Sequence, residues 1–274
     1  MAVRRAKSRS GSIFVGVGGW SFAPWRGVFY PAGLAQAREL AYMGGELNSL
    51  EINSTFYGPQ KPATFQRWHD ETPDGFVFAV KAPRFVVGRR DLATAGDSIG
   101  RFLDSGVLRL GKKLGPINWQ LGPDKSFAAA EIDAFLSMLP MEHDGRKLRH
   151  AIEVRNPGFA VPEFVQLARR HGIAIVLAGD SDYPQIANTT ATFAYLRIMG
   201  TVETQREGYS SAALTRWAQC AMALAAGDLP EGLTAVPEPS ANELRSRDVF
   251  LYVISGAKQR NPAAARALLE RLRR

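Results

Sequence analysis

Ser49-Leu50-Glu51-Ile52-Asn53, Ala79-Val80-Lys81, Asn118-Trp119-Gln120, Ile152-Glu153-Val154-Arg155 and Tyr195-Leu196-Arg197 are five short runs built on one plan, with polar groups on one parity and apolar residues on the other. Side chains of a β-strand alternate faces, so the carboxylates, cations and amides of each run share a face while Leu50, Ile52, Val80, Ile152, Val154 and Leu196 point the opposite way. Charged side chains turned inward, with an apolar outside, describe a barrel with a polar mouth.

Working outward from these runs, eight strand-like segments can be placed at 13–19, 49–53, 76–83, 115–122, 150–156, 173–179, 193–200 and 248–256. They are short, rich in β-branched and aromatic residues, and most end in Gly, Pro, Asn or Asp. Between them apolar residues return every three or four positions, clearest at 63–71, 97–110, 128–139, 162–171, 211–226 and 262–272. Strand then helix, eight times over, predicts an α/β fold of the (β/α)₈ TIM-like barrel type in a single domain. Pro162 and Pro262 read as first-turn prolines, and Gly172 closes a helix just before the sixth strand. The longest connection, between strands seven and eight, carries Pro230, Gly232, Pro237 and Pro239 and reads as a surface loop. A doubly wound sheet is the rival architecture, but helices cover both of its faces, and charges on one face of several strands would have no place there.

The chain has 274 residues, 46% of them hydrophobic and 22% charged, which suits one soluble globular domain. We expect a short disordered basic tail over 1–12, holding Arg4, Arg5, Lys7 and Arg9, and a barrel domain over 13–274. That tail lacks the apolar stretch of a secretory signal, and nothing downstream is long and apolar enough to span a bilayer; a cytoplasmic protein with no membrane partner is expected. The one cysteine, Cys220, allows no internal disulfide and no cysteine-based metal site. A net charge of +8 favours anionic partners.

Ligand sites of such barrels lie at the C-terminal ends of the strands. That placement gathers Gly18, Glu51, Asn53, Lys81, Gln120, Glu153, Arg155, Asp180 and Arg197 around one mouth. The set has two readings: a structural network in which cations and carboxylates neutralise one another, and a functional site in which several strand ends converge. On the functional reading Glu51 and Glu153 are the general acid and base, with Lys81 as their charged neighbour or as a Schiff-base amine. Arg155 and Arg197 suit bidentate contact with a carboxylate or phosphate. The loops after strands one and two carry Trp20, Phe22, Trp25, Phe29, Tyr30, Phe56 and Tyr57, which either plug the barrel top or stack a ligand, Trp20 foremost. The histidines His69, His143, His150 and His171 all fall away from the C-terminal face, so no metal site is assigned and no cofactor is predicted. A Mg²⁺ ion on Glu51, Glu153 or Asp180 is the alternative.

These residues resemble a known family. Gly18-Gly19-Trp20-Ser21, Trp25-Arg26-Gly27-Val28-Phe29-Tyr30-Pro31 and Leu50-Glu51-Ile52-Asn53-Ser54-Thr55-Phe56-Tyr57 look like the opening signature of the YecE-like proteins, domain of unknown function 72. Val80-Lys81-Ala82-Pro83, Gln120-Leu121, Ile152-Glu153-Val154-Arg155 and Tyr195-Leu196-Arg197 continue the series. The resemblance implies a TIM-like barrel without an established activity, and carries over Trp20, Glu51, Asn53, Tyr57, Lys81, Gln120, Glu153, Arg155 and Arg197 as site residues. The chain departs from the pattern where Arg197-Ile198-Met199-Gly200 replaces Arg-any-His-Gly, and where Phe85-Val86-Val87-Gly88 lacks a histidine usual after the strand-three lysine. Any chemistry at the matched residues therefore proceeds without imidazole.

Two functions follow. The first is an enzyme acting on a small anionic or sugar-containing metabolite, with Glu51, Glu153 and Lys81 catalytic and Trp20, Asn53, Tyr57, Gln120, Arg155 and Arg197 binding the substrate. The second is a non-catalytic barrel for nucleic acid or another anionic ligand, which would need a continuous cationic stripe. Inward cations balanced by carboxylates suit the small ligand.

Overall fold

In the computed structural model, which describes residues 11–238 and 245–273, the period-two runs are barrel strands. We number them β1 (Ile13–Val17), β2 (Ser49–Ile52), β3 (Val77–Lys81), β4 (Leu114–Gln120), β5 (His150–Glu153), β6 (Ala174–Gly179), β7 (Phe193–Ile198) and β8 (Asp248–Val253). All pairings between them are parallel, in the order β1-β8-β7-β6-β5-β4-β3-β2, and a two-residue hairpin (Glu142–His143 with Arg146–Lys147) precedes β5.

Closure at the remaining seam, between β1 and β2, uses a side chain. The backbones pair only at the rim, where Gly18 bridges Glu51 and the Gly19 N–H donates to the Glu51 carbonyl at 2.9 Å. Below, the Asn48 carboxamide imitates a strand: its Oδ1 accepts from the Val15 N–H at 2.7 Å and its Nδ2 donates to the Ile13 carbonyl at 3.0 Å. Gly16 is required beside it, because a Cβ there would lie 2.3 Å from the Ser49 carbonyl oxygen. Asn48→Ala strands the buried Val15 N–H, and is expected to lower unfolding free energy by about 1–3 kcal/mol in urea denaturation.

The helices packed outside are α1 (Glu39–Glu46), α2 (Pro62–Asp70), α3 (Gly96–Leu103), α4 (Ala129–Ser137), α5 (Pro162–Arg170), α6 (Ser211–Ala226) and α7 (Asn261–Leu272). Pro162 and Pro262 sit in first turns, and Gly172, at φ 64°, ends the turn after α5. Two expectations change. The helix expected over 97–110 stops at Leu103, because Gly106 (φ 104°) packs against Pro62 and restarts the chain as a tighter 3₁₀ run, Val107–Lys113. No helix joins β6 to β7, so the expected eightfold alternation fails there. Instead the connection is tied down by polar side chains: Thr190 Oγ1 donates to the Ile173 carbonyl (2.6 Å), and Asn188 bonds both backbone groups of Val236 in the β7–β8 connection (3.0 and 2.8 Å). That connection was expected as a surface loop; Leu233 and Val236 pack on the core, and Pro239 lies outside the described residues. Residues 1–10 of the expected tail also lie outside them, while the Gly11 N–H donates to the Ala225 carbonyl and the Ser12 N–H to Asp248 Oδ1.

Leu50, Ile52, Val80, Ile152, Val154 and Leu196 are all buried in the layer between strands and helices, as their parity required. A second apolar cluster fills the barrel interior. Phe14 stacks on Phe250 (4.9 Å, 10°), with Phe193 edge-on to it, and closes the floor. Above lie small residues, Ala79, Ala151 and Ala178, beside Tyr195 and Tyr252. The interior thus grades from apolar at the strand N-termini to charged at the C-termini, where water can reach. Among the described residues no helix is long and apolar enough to cross a membrane.

Candidate active site at the barrel mouth

Arg197, inward-facing near the end of β7, is the hub. Its Nη2 donates to Glu51 Oε1 at 2.9 Å, and its Nη1 to Glu153 Oε2 at 2.5 Å and to Gln120 Oε1 at 3.2 Å. Each carboxylate has further donors. Tyr195 Oη donates to Glu51 Oε2 (2.6 Å), Arg155 Nε to Glu153 Oε1 (3.0 Å) and Asn118 Nδ2 to Glu153 Oε2 (3.2 Å). Glu51 and Glu153 are both 0% exposed, so every carboxylate oxygen is buried and carries a donor. Burial opposes ionisation of Glu153, but Arg197, Arg155 and Asn118 together outweigh it and leave the carboxyl below its ordinary value. Burial likewise opposes the charge of Arg197, and Glu153 and Glu51 reverse the balance and hold its proton more tightly than usual. Burial and the Glu51 charge push Tyr195 well up, so it stays a neutral donor.

Over this layer opens a cavity of about 840 Å³. Of the nine residues expected at the site, seven line it: Trp20, Asn53, Tyr57, Lys81, Gln120, Arg155 and Arg197. Glu51 and Glu153 do not; they lie beneath its floor. Asp180, expected at the same mouth, turns outward at φ 51°, accepting from Trp217 Nε1 at 2.7 Å and facing Arg216 at 3.5 Å. Among the described residues no three His, Cys, Asp or Glu side chains are gathered as a set of metal ligands.

Lys81 ends β3 with its Nζ 4.0 Å from the centre of the Phe56 ring and no hydrogen bond to any described residue. Burial, and then the Arg197 charge, pull its ammonium down from 10.5 to about 8, partly offset by Glu51 and Glu153. Two more donors face the cavity uncommitted. Gln120 Oε1 accepts from both Arg155 Nη2 (3.1 Å) and Arg197 Nη1, which orients the amide and frees its Nε2. Arg155 Nη1 has no acceptor among the described residues, its guanidinium lying 4.4 Å over the Tyr183 ring. The two buried carboxylates are thus saturated with donors, while Lys81 Nζ, Gln120 Nε2 and Arg155 Nη1 have no acceptor among the described residues.

The aromatic loops divide the two roles expected of them. Trp25 is fully buried and plugs the top, with its Nε1 donating to the Lys258 carbonyl at 2.9 Å. Trp20 lines the cavity edge-on to Trp68 (5.1 Å), and Tyr57 stands 82% exposed at the rim. Sequence reasoning did not assign Tyr195, Asn118, Trp68 or Lys258 to the site. The first was legible, since it precedes Arg197 by two on the same inward face. Trp68, on α2, and Lys258, whose Nζ lies 4.4 Å over the Phe22 ring, come from helices and carry no period-two signal. No histidine lines the cavity. His150 faces outward, its ring accepting from Trp119 Nε1 at 3.1 Å, and burial lowers it to about 4. Met199, at the position of the family histidine, is buried in the interior apolar cluster, and Cys220 is a packed thiol pushed up to about 12 by burial.

A lysine whose folded value lies below its unfolded value binds fewer protons when folded, so stability contributed by Lys81 is expected to rise with pH between about 8 and 10.5. Lys81→Met should lose that rise. Acetic anhydride labelling followed by peptide mass spectrometry should give Lys81 a midpoint near 8; a midpoint above 10 would remove its perturbed environment.

Comparison with known proteins agrees with this architecture. A sequence model described as "Protein of unknown function DUF72" matches residues 14–274. The UPF0759 protein YecE of Escherichia coli (strain K12) is 29% identical over 150 residues, covering 54% of this chain and 50% of that protein. The chain thus aligns with about half the length of the curated relative it matches. A crystal structure of a DUF72 family protein from Thermotoga maritima MSB8 superposes with a TM-score of 0.73 at 20% identity, covering 96% of this chain and 100% of that one. One from Enterococcus faecalis V583 gives 0.70 at 14%, covering 97% and 100%. A xylose isomerase-like TIM barrel/4-hydroxyphenylpyruvate dioxygenase fusion protein gives 0.52 at 15%, covering 96% of this chain and 44% of that one. At these identities the structures show a shared fold.

Proposed function

Because the chain belongs to the DUF72 family of TIM-like barrels of unknown function, its chemistry has to be read from its own side chains, and we propose that the mouth is the active site of an enzyme that binds a small anionic metabolite and transfers a proton. The observation that carries this reading is the donor balance of the floor. Both interior carboxylates are fully hydrogen-bonded, while Lys81 Nζ, Gln120 Nε2 and Arg155 Nη1 remain open toward the cavity. Donors that face an open cavity without a protein acceptor can exchange water for a ligand's oxygens, so the ligand that completes the site is acceptor-rich, a carboxylate or a phosphate.

In this reading Gln120 and Arg155 hold the anion, and Arg197 fixes the electrostatics of the floor. Trp20, Asn53 and Tyr57 form the wall. Lys81 is the acid–base residue, because an amine near pKa 8 can both take and return a proton near neutrality. Glu51 and Glu153, expected from the sequence as acid and base, hold Arg197 and Arg155 in position. The reaction class is isomerisation, elimination or hydrolysis through such a transfer.

Thermal unfolding in inorganic phosphate, sulfate and small carboxylates tests this. At ten times Kd a bound anion adds about 1.4 kcal/mol, worth roughly 3–6 °C in a domain of this size. Saturable stabilisation, absent in KCl at equal ionic strength and lost in Arg155→Ala, is the expected result. No saturable shift overturns the reading. Salt-sensitive stabilisation by a 20-nucleotide single strand that survives Arg155→Ala would favour the nucleic-acid barrel.

A further inference from the structure

Building on the anion site just proposed, we infer that the ligand also carries an aldehyde or ketone carbon, and that Lys81 Nζ condenses with it as a reversible imine. Three observations of geometry carry this. First, of the two lysines that line the cavity among the described residues, Lys81 is the one on a barrel strand beside Gln120 and Arg155 while Lys258 sits over the Phe22 ring, and no hydrogen bond or ion pair to a described residue ties up the Lys81 nitrogen. A lysine retained only to neutralise charge would be in salt-bridge contact with Glu51 or Glu153, yet both carboxylates are occupied by arginines. Second, the Phe56 face at 4.0 Å and the buried anions Glu51 and Glu153 are complementary to a cation fixed at Nζ. A protonated imine keeps that cation in place after the amine has reacted, so the surroundings stabilise the intermediate as well as the free lysine. Third, Asn118 Oδ1 is buried without a donor, on the residue that lies opposite Lys81 in the β3–β4 register. Asn118 does not itself line the cavity, so this acceptor lies beneath it and is placed for an N–H held at the lysine nitrogen by the imine, not for a group on the open side.

The step balances without an oxidant or co-reactant. The neutral nitrogen attacks the carbonyl carbon, a C–N bond forms, and the carbonyl π pair moves to oxygen, which takes up a proton as the nitrogen gives one up. The carbinolamine oxygen then takes a second proton and leaves as water while the nitrogen lone pair forms C=N. The second proton is the one the ammonium released on becoming neutral, so the sum is lysine ammonium plus carbonyl giving protonated imine plus water, and hydrolysis reverses it. With its value near 8, roughly a fifth of Lys81 is neutral at pH 7.4, against about a thousandth for an ordinary lysine. The imine then acidifies the carbon next to it; while Lys81 is condensed it acts as the electron sink, the proton of that carbon passes to water in the cavity, and the lysine resumes its acid–base role on hydrolysis.

Pyruvate, glyoxylate and dihydroxyacetone phosphate are suitable probes, each joining a carbonyl to an anion. The full chain is incubated with each at pH 7.4, reduced with sodium cyanoborohydride, and read by intact mass and peptide mapping. The expected result, with at least one probe, is a single secondary-amine adduct at Lys81, at least tenfold above any other lysine and absent in Lys81→Arg. Mapping on the wild-type chain makes the result independent of how well the variant folds. Adducts spread evenly over surface lysines, or none with any probe, overturn the imine. If phosphate and carboxylates still stabilise the protein when trapping fails, the anion site stands and the imine alone falls; if neither occurs, both fall together.

Discussion

Arg197→Met is expected to lower the unfolding free energy by about 3–5 kcal/mol, the usual consequence of removing one partner from a buried ion pair. Here one guanidinium serves two carboxylates, Glu51 and Glu153, both wholly buried, so the variant leaves two poorly compensated anions over an apolar floor. Urea denaturation at pH 7 measures the loss. The deficit should shrink as pH falls, with the sign set by Glu153. Its folded value lies below 4.5, so its stabilising contribution is present above the unfolded value and is lost as pH drops through the folded one. Without Arg197 that carboxyl titrates higher and becomes neutral sooner. Adding Glu51→Gln and Glu153→Gln to Arg197→Met should restore part of the stability. An Arg197→Met protein as stable as wild type at pH 7 would show that the hub is not an ion-pair network.

Trp25→Ala should be nearly as costly, about 3–5 kcal/mol, because a fully buried aromatic is deleted from a cluster that cannot collapse around the gap. Its ring meets Phe22 at 5.4 Å, Phe29 at 6.5 Å and Tyr30 at 6.3 Å, and its Nε1 holds the Lys258 carbonyl. Trp25→Phe, which keeps most of the packing and drops the hydrogen bond, should cost about 1 kcal/mol. Tyr57→Ala is the matching control at the rim: at 82% exposure it should change stability by less than about 0.5 kcal/mol while weakening the anion-dependent thermal shift. Equal losses in Trp25→Ala and Tyr57→Ala would mean that plug and rim are wrongly divided.

The barrel and its polar interior were legible because strand geometry is local. Glu51 must face opposite to Leu50 and Ile52 whatever the rest of the chain does, and eight such runs separated by helical periods leave few architectures. α6 falls on Ser211–Ala226, as its pattern required, since Ser210 caps one end and Gly227 the other. Local patterns also misled. The 97–110 pattern continues through Gly106, and only contact with Pro62, brought in from α2, stops the helix. The 180–192 segment folds without a helix because Asn188 and Thr190 bind strands and loops that the sequence does not show to be near.

Parity alone, then, settled which side chains enter the barrel, but depth and partnership were left to the tertiary structure. Glu51, Lys81 and Glu153 all face inward near the C-terminal ends of β2, β3 and β5, and their parity does not say that the two glutamates lie under the floor while the lysine opens on the cavity. That difference comes from the partners each side chain meets across the barrel. Arg197 stands 146 residues from Glu51 and 44 from Glu153 in sequence, and closure brings it within hydrogen-bond reach of both. Its guanidinium has donors enough for the two carboxylates, and by occupying them it leaves Lys81 without an ion-pair partner, its ammonium lowered by burial and by the neighbouring arginine.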